Sequence, residues 1–302
     1  MKSIVVVGSS NTDMVVKTAT LPRPGETVTG GTFFLAAGGK GANQAVAAAR
    51  LGGDVIFIAK VGLDAFGDQA IASYQKEGIH TTHIGQEKDH ATGVALILVG
   101  QGGENLISVA SGANFQWSEN DLARIRDIVE RAGIVVMQLE IPLRVVEQVA
   151  QIAAAAGVPV LLDPAPAVAL PEGLLRNVSY LKPNEHEAET VSGIKVTDEA
   201  TAIQAAERLL EMGVRKAAVI TLGAKGALVL ERGGRPQLIP APEVHAVDTT
   251  AAGDAFTGAL AWQLNQGADL PDAVQVANRV AALSTTRMGA QPSLPTRKEL
   301  DA

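Results

Sequence analysis

The sequence predicts an α/β fold in which a mostly parallel central sheet is flanked by helices and a small second sheet forms a lid. Short continuous runs of Val, Ile and Leu, such as residues 3–7 and 134–139, are typical of parallel strands that are buried on both faces. These runs alternate with segments of helical periodicity, which is the pattern of a Rossmann-like arrangement. Two segments, residues 14–35 and 92–110, break the alternation and predict the lid.

The individual elements follow from the same patterns in chain order. Strands of the central sheet are expected at residues 3–7, 55–61, 134–139, 158–162, 178–181 and 217–222. Helices are expected at residues 65–77, 119–131, 143–156, 185–192 and 199–212, and directly after the turns that end at Gly41 and Gly253. Ser118 is suited to cap the helix at residues 119–131. Residues 223–239 predict a hairpin that turns at Gly233 and Gly234.

The two segments that interrupt the alternation of strands and helices are each predicted to be a pair of antiparallel strands joined by a Gly/Pro turn. They are expected to pair into one small sheet. Because such a sheet needs a partner for its apolar face, it is predicted to cover the active site, to pack on a second subunit, or both. The predicted organisation is therefore a core of residues 1–13, 36–91 and 111–302 with a lid of residues 14–35 and 92–110.

Composition excludes several classes of function. The 302 residues carry a net charge of −7 and contain no Lys/Arg cluster, which argues against a nucleic-acid partner. The absence of cysteine excludes disulfides, thiolate metal sites and cysteine nucleophiles, and the five histidines show no zinc spacing. No apolar run is long enough for a signal peptide or a membrane span, so we expect a cytoplasmic protein without a membrane partner.

An acidic residue follows a turn of small residues in the run from Asp248 to Asp254, which leads into an apolar helical segment. The first N–H groups of a helix have no internal partner and attract anions. A carboxylate at Asp254 would be repelled by such an anion unless it accepts a proton, so the pattern suggests chemistry on a phosphate-bearing substrate. The alternative is an ordinary first-turn acid that the helix dipole favours.

A glycine-rich turn at residues 37–52 places Lys40 and Asn43 toward polar groups such as sugar hydroxyls. The turn is not a Walker A loop, since Lys40 is followed by Gly41, and it lacks the dinucleotide fingerprint. The alternative is a tight turn before a core helix.

Further ligand candidates follow predicted strands. Asn11 and Asp13 come after the first strand, where an open α/β sheet gathers its ligands; an Asx turn is the alternative. Glu140 is a charged group at the end of the strand at residues 134–139. The turn from Thr221 to Gly226 follows another strand and is suited to phosphate oxygens.

Asn184 and Glu187 lie three residues apart at a predicted helix start. The pair could orient a hydrated Mg²⁺ that bridges nucleotide phosphates. The same spacing makes an ordinary capping box, which is the alternative. His186, between them, is expected to face solvent.

Taken together, these segments resemble the ribokinase-type carbohydrate kinases, the phosphofructokinase B family. Residues 38–52 resemble the first signature of the family and residues 248–260 its second, and the likeness covers essentially the whole chain, including the lid. Other segments resemble the ribose-phosphorylating members, namely residues 11–13, 24–29, 137–140, 183–185 and 289–293.

The resemblance implies a ribokinase-like fold and ATP-dependent phosphorylation of the 5-hydroxyl of D-ribose. It implies that Asp254 is the catalytic base, with Ala251, Ala252 and Gly253 as the anion hole. The residues implied to hold the sugar are Asn11, Asp13, Gly39, Lys40, Asn43, Glu140 and Asp254. Those implied around ATP and its Mg²⁺ are Asn184, Glu187, Thr221, Gly223, Gly226, Gly253 and Asn278.

The family also carries a monovalent-cation site, often for K⁺, and forms homodimers through the lid. The positions implied for the cation, several through backbone carbonyls, are Asp248, Thr250, Ser284, Arg287, Gly289 and Ser293. Met14 and the lid exit at residues 109–114 depart from the expected pattern, and such changes could shift the preference toward 2-deoxyribose.

The alternatives are a deoxyribokinase, a fructokinase or a nucleoside kinase of the same family. An aromatic content of only 3% disfavours a base-stacking nucleoside kinase. A non-catalytic regulator on the same fold would be signalled by loss of the base or the glycine turn, and both are intact. A dehydrogenase is excluded by the missing dinucleotide fingerprint.

Overall fold

The computed structural model describes residues 2–301, so that Met1 and Ala302, the ends of the predicted core, lie outside the described residues. Its strands are β1 (Ile4–Val7), β2 (Asn11–Lys17), β3 (Thr32–Gly38), β4 (Val55–Gly62), β5 (Ile84–Glu87), β6 (Gly93–Val99), β7 (Asn105–Ala110), β8 (Ile134–Met137), β9 (Val160–Leu162), β10 (Tyr180–Leu181), β11 (Ala217–Thr221), β12 (Ala227–Glu231) and β13 (Gln237–Ile239).

Nine of these strands form a central sheet in the order β13-β12-β11-β10-β9-β8-β1-β4-β5. All neighbours pair in parallel except β11 with β12 and β12 with β13, which are antiparallel. This sheet confirms the predicted α/β class. The turn between β12 and β13 contains Gly233 and Gly234, where the sequence predicts the hairpin to reverse.

Helices cover both faces of this sheet. They are α1 (Lys40–Arg50), α2 (Ala65–Lys76), α3 (Glu119–Arg131), α4 (Leu143–Ala155), α5 (Glu172–Leu175), α6 (Glu185–Ser192), α7 (Glu199–Glu211), α8 (Ala252–Asn265), α9 (Leu270–Thr285) and α10 (Arg297–Leu300). Helices α3 to α7 contribute to one hydrophobic core, and α1, α2, α8, α9 and α10 contribute to the other. Within residues 2–301, no helix is both long and apolar enough to cross a membrane.

Strand β1 shows why the predicted strands are continuous apolar runs. Val5 and Val7 belong to one core, whereas Ile4 and Val6 belong to the other. Successive side chains of a strand point to opposite faces, and both faces of this sheet are covered by helices. Each position must therefore be apolar.

The small sheet has four strands in the order β3-β2-β6-β7. Strand β2 pairs antiparallel with β3 and parallel with β6, which joins the two hairpins into one sheet. Strand β2 begins at Asn11 and β3 ends at Gly38. The small sheet therefore includes residues 11–13, which the sequence analysis assigns to the core. The division into core and lid at the predicted boundaries stays a prediction.

Some elements differ from the sequence expectations. Strand β8 ends at Met137, two residues early, because the backbone then turns so that the Leu139 N–H donates to the Ala165 carbonyl. Strand β5, which the sequence does not predict, is a partly exposed edge strand that contains Gly, Gln and Glu. Helix α9 is also unpredicted.

Candidate active site

The carboxyl ends of the parallel strands converge on one edge of the central sheet, as expected for an open α/β fold. Strand β9 leads to Asp163, β10 to Lys182 and Asn184, and β11 to Thr221. These residues line a cavity of about 730 Å³ that also reaches the start of α8 and the side of α9. The predicted nucleotide residues and the predicted base therefore share one cavity.

Asp254 lies in the first turn of α8 and is 5% exposed. Its carboxylate accepts two hydrogen bonds from side-chain amides of α1, from Asn43 Nδ2 to Oδ2 at 2.9 Å and from Gln44 Nε2 to Oδ1 at 2.9 Å. Burial raises the pKa of Asp254 from 3.8 to about 6, although the charge of Lys40 opposes this shift. A buried acid with a raised pKa is suited to accept a proton.

The turn before α8 contains a strained residue. Ala251, the N-cap, has a φ of 60°, in the left-handed region that an alanine rarely adopts. The Ala252 N–H donates to the Thr249 carbonyl at 3.2 Å. Within residues 2–301, no protein acceptor takes the N–H of Ala251, Gly253 or Asp254. These three N–H groups thus remain available to an anion at the positive end of the helix dipole.

Gln44 connects Asp254 to a second buried acid. Its Nε2 donates to Asp163 Oδ2 at 2.8 Å as well as to Asp254, while its Oε1 accepts from Gln138 Nε2 at 2.6 Å. Because Gln138 holds the carbonyl oxygen of Gln44, the amide nitrogen must face the two acids. Asp163 also forms a buried ion pair with Lys182, whose Nζ lies 3.0 Å from Asp163 Oδ1.

The predicted sugar residues lie on β2, at the start of α1 and after β8. Asn11 and Asp13 are alternate residues of strand β2 and not part of an Asx turn. Glu140 Oε2 accepts from the backbone N–H of Lys40 at 2.9 Å and from Ser9 Oγ at 2.5 Å. Burial and the charge of Glu140 raise the pKa of Asp13 to about 6.

Gly39 brings this turn into contact with the end of β1. Its φ of 90° is unfavourable for other residues, and a Cβ there would lie 2.8 Å from the Asn11 backbone nitrogen and 2.9 Å from the Ser9 carbonyl oxygen. Glycine at this position therefore permits the close approach of two backbones.

Lys40 lies among most of the acids of the site. Burial would lower the pKa of its ammonium group, but the carboxylates raise it well above its ordinary value. These acids are Asp254, Asp163, Glu140 and Glu187. Lys40 lines the cavity and binds Glu140 through its backbone N–H, so it lies between the predicted nucleotide residues and the predicted sugar residues.

Asn184 and Glu187 form the capping box that the sequence offered as the alternative. Asn184 Oδ1 accepts from the Glu187 N–H, and Glu187 Oε2 accepts from the Asn184 N–H, both at 2.8 Å. Both residues also line the cavity. Burial and the charge of Asp163 raise the pKa of Glu187. His186 is exposed, as predicted.

The other predicted nucleotide residues surround the same cavity. Thr221, Gly223, Gly226, Gly253 and Asn278 all line it. Asn278 is 4% exposed, and its Nδ2 donates to the Ile239 carbonyl at 2.9 Å, so it also ties α9 to the end of β13.

Asp248 joins the turn before α8 to the loop after α9. Its Oδ1 accepts from the N–H and hydroxyl of Thr250, and its Oδ2 accepts from the Gly289 N–H at 2.8 Å. Burial alone would raise the pKa of Asp248, but these hydrogen bonds lower it below its ordinary value. Thr250 and Gly289, two other predicted cation positions, are thereby held together.

The remaining cation positions have other contacts. Ser284 and Ser293 donate their hydroxyl protons to the carbonyls of Ala281 and Ala290. Arg287 pairs with Glu299 at 2.6 Å. Within residues 2–301, there is no group of three His, Asp or Glu side chains that could hold a metal ion.

Sequence reasoning missed five polar residues of the site, namely Ser9, Gln44, Gln138, Asp163 and Lys182. All five are at most 3% exposed. Their positions carried a signal, because Ser9, Gln138 and Asp163 each follow a predicted strand of the central sheet closely or fall at its end. Buried polar groups need partners, and here they pair with each other and with the predicted residues.

Comparisons with known proteins show the family of the chain. The model of the pfkB family carbohydrate kinases matches residues 1–297. The chain is 44% identical to a ribokinase of Haemophilus influenzae over 298 residues, covering 99% of this chain and 97% of the relative. It is 36% identical to a deoxyribokinase of Salmonella typhimurium over 299 residues, again covering 99% and 97%.

A solved structure of Arabidopsis thaliana ribokinase with ribose and ATP superposes with a TM-score of 0.92 at 34% identity, covering 99% of this chain and 97% of that one. The likeness thus extends over nearly the whole length of both chains. The chain belongs to the pfkB family of carbohydrate kinases.

Proposed function

We propose that this enzyme transfers the γ-phosphoryl group of ATP to the 5-hydroxyl of D-ribose and releases D-ribose 5-phosphate and ADP. The observation that carries the proposal is the position of Asp254, a buried carboxylate that lines the nucleotide cavity and contacts α1, the helix of the predicted sugar residues. The ribokinase name of the Haemophilus influenzae relative and the ribose and ATP in the Arabidopsis thaliana structure support it. The second candidate substrate is 2-deoxyribose, given the similar deoxyribokinase.

In the proposed mechanism, Asp254 accepts the proton of the sugar hydroxyl as its oxygen approaches the γ-phosphorus. An aspartate is a weak base toward an alcohol, so the proton moves late, when bond formation has acidified the hydroxyl. The raised pKa of Asp254, about 6, reduces this mismatch. The amides of Asn43 and Gln44 hold both carboxylate oxygens and so limit rotation of the base.

Charge on the transferring phosphoryl group is stabilised at the start of α8. The proposed anion hole is Ala251, Ala252 and Gly253, in which the N–H groups of Ala251 and Gly253 have no protein acceptor among residues 2–301. Fixed donors of this kind stabilise developing charge without reorganisation. The Lys40 ammonium group, charged among the surrounding acids, adds a positive charge at the junction of the two halves.

We place Mg²⁺ near Asn184 and Glu187. The residues fit a cation because Glu187 and Asp163 are buried acids whose negative charges repel each other. Lys182, which forms its ion pair with Asp163, and Lys40 offset only part of the negative charge of Asp163, Glu187 and Asp254. Bound there, Mg²⁺ would neutralise charge on the ATP phosphates. The nucleotide itself would contact Thr221, Gly223, Gly226, Gly253 and Asn278.

We place a monovalent cation such as K⁺ in the loops that Asp248 joins. The proposed positions are Asp248, Thr250, Ser284, Arg287, Gly289 and Ser293. Both Asp248 oxygens already accept from protein donors, and the Arg287 guanidinium pairs with Glu299, so this ion would rely mainly on hydroxyl and backbone oxygens. Its proposed role is to hold the shape of the turn before α8.

The lid is the proposed contact of a homodimer. Every residue of β7 is exposed, and the small sheet presents large apolar side chains to solvent, which marks an interaction surface. These side chains, each at least 39% exposed, are Phe33, Phe34, Leu35, Leu96, Leu106, Ile107 and Val109. The proposed location is the cytoplasm, where ATP, the proposed phosphoryl donor, is available.

The substitution Asp254→Asn tests the base. Asn43 Oδ1 has no partner among the described residues, so the Asn43 amide can turn to accept from the new NH₂ group. We expect the turnover number with ribose to fall by roughly 10³-fold or more, while ribose still binds. Coupled ADP release measures turnover and calorimetry measures binding. Asp198→Asn, at the exposed start of α7, is the matched control; near-normal turnover of Asp254→Asn would exclude Asp254 as the base.

The substitution Glu187→Gln separates metal binding from capping. The Gln Oε1 can still accept from the Asn184 N–H, so the capping box survives and only the charge is lost. We expect the Mg²⁺ concentration for half-maximal velocity to rise by on the order of tenfold. Ser118→Ala, which breaks the capping box of α3 instead, should leave the Mg²⁺ titration unchanged. A wild-type titration for Glu187→Gln would leave Glu187 a capping residue only.

The substitution Ile107→Lys tests the proposed dimer contact. Ile107 is 56% exposed in the middle of β7, and a lysine there would bring two charges together across a symmetric interface. We expect the variant to sediment as a monomer at concentrations at which the wild type sediments as a dimer. Val168→Lys introduces the same charge at an exposed site outside the lid and should sediment as the wild type does. A monomeric wild type, or a dimeric Ile107→Lys variant, would contradict the proposal.

A further inference from the structure

A buried asparagine outside the predicted site holds one of the predicted sugar residues. Asn114 lies in the turn after β7 and is 1% exposed. Its Oδ1 accepts from the Ser10 N–H at 2.9 Å, and its Nδ2 donates to the Ser10 carbonyl at 3.2 Å and to Asn11 Oδ1 at 2.7 Å. The side chain therefore uses both of its polar atoms on Ser10 and Asn11, the residue before β2 and its first residue.

These contacts determine how the Asn11 amide is oriented. The Ser10 N–H can only donate, so it requires the Asn114 oxygen, and the Asn114 nitrogen must then face Asn11. A nitrogen donor requires an acceptor, so Asn11 presents its Oδ1 to Asn114. Asn11 Nδ2 has no protein acceptor within residues 2–301 and is left to donate to a ligand.

Asn114 itself is fixed where the small sheet joins the core. Its carbonyl accepts from Trp117 Nε1 at 2.9 Å, and the N–H of the preceding Ala113 donates to the Ala91 carbonyl at 2.8 Å, just before β6 begins. The backbone on both sides of the Asn114 side chain is thus tied by hydrogen bonds to Trp117 and to Ala91.

Gly93 leaves the space that this hydrogen bond occupies. Gly93 pairs with Asn11 in the register of β2 and β6. A Cβ at Gly93 would lie 2.2 Å from Asn11 Oδ1 and 2.3 Å from Asn114 Nδ2. The glycine does not have a positive φ, so the close approach of these two amides, and not backbone strain, is what excludes a side chain there.

From this geometry we infer that Asn114 is a positioning residue, which turns the Asn11 amide so that its NH₂ group donates to a hydroxyl oxygen of the sugar. The inference rests on the proposed function, in which Asn11 contacts the sugar. It assigns to the lid exit, residues 109–114, a role in sugar binding through Asn11 and without direct contact.

The substitution Asn114→Asp reverses the orientation. One carboxylate oxygen can still accept from the Ser10 N–H, but the other cannot donate, so Asn11 must turn its NH₂ toward Asp and present its oxygen to the sugar. We expect the KM for ribose to rise at least about tenfold, because a polar contact with the sugar becomes unfavourable, while the KM for ATP changes less than about twofold. Gly93→Ala, which displaces the same hydrogen bond without removing a polar group, should have the same effect.

The test is a double-mutant cycle with Asn11→Ala, in which the KM values for ribose and ATP and the thermal midpoint are measured for each variant. Once Asn11 is alanine there is no amide to orient, so adding Asn114→Asp should raise the KM for ribose by less than about threefold. Gly173→Ala, at a helix glycine with open space around it, is the control for Gly93→Ala.

Three results would overturn the inference. The first is a wild-type KM for ribose in both Asn114→Asp and Gly93→Ala. The second is a double variant in which the increases in the KM for ribose caused by Asn11→Ala and by Asn114→Asp multiply. The third is a KM for ATP that rises as much as the KM for ribose in Asn114→Asp, together with a lower thermal midpoint. That result would mean that Asn114 has only a structural role. If instead the wild type and Gly173→Ala fail to phosphorylate ribose, the proposed function is what fails.

Discussion

The site depends on one interaction: two side-chain amides of α1 donate hydrogen bonds to the buried Asp254 carboxylate at the start of α8. For these amides to reach the acid, α1 and α8 must approach closely. Gly258 permits this approach, since a Cβ there would lie 2.6 Å from the Ala47 Cβ and 2.7 Å from the Gln44 carbonyl oxygen. The second amide, of Gln44, is held in turn by Gln138. The packing of α1 against α8 thereby sets the geometry of the proposed proton acceptor.

The same packing brings together more acidic side chains than the nearby lysines neutralise. Burial raises the pKa of both Asp13 and Asp254 to about 6, which means that their ionised forms are disfavoured in the folded protein. Lys40 and Lys182 are the cations that face this group of acids. A site of this kind is kept at some cost in stability, and in our account the cost is offset when hydroxyl donors and a metal ion arrive. The strained Ala251 before α8 belongs to the same pattern.

Local patterns in the sequence predict most of the fold and many residues of the candidate site, but they do not predict the long-range contacts. The apolar runs predict the parallel sheet because both of its faces are covered, and the spacing of Asn184 and Glu187 predicts a capping box that the structure contains. Gln44 and Asp163 lie 119 residues apart, and Asn11 and Asn114 lie 103 apart. Periodicity and motif spacing do not show such contacts. Strand β5 was not predicted from the sequence because an exposed edge strand need not be apolar.

We propose that Asp254 takes the proton from the sugar hydroxyl. The pH dependence of the single-turnover rate of phosphoryl transfer, at saturating ribose and ATP, tests this role most directly. Because the carboxylate must be ionised to act, the rate should fall about tenfold per pH unit on the acid side of its midpoint and level off above it. Asp254→Asn should be slow and independent of pH over the same range, whereas Asp13→Asn should keep the acid limb. An acid limb that persists unchanged in Asp254→Asn would contradict the account.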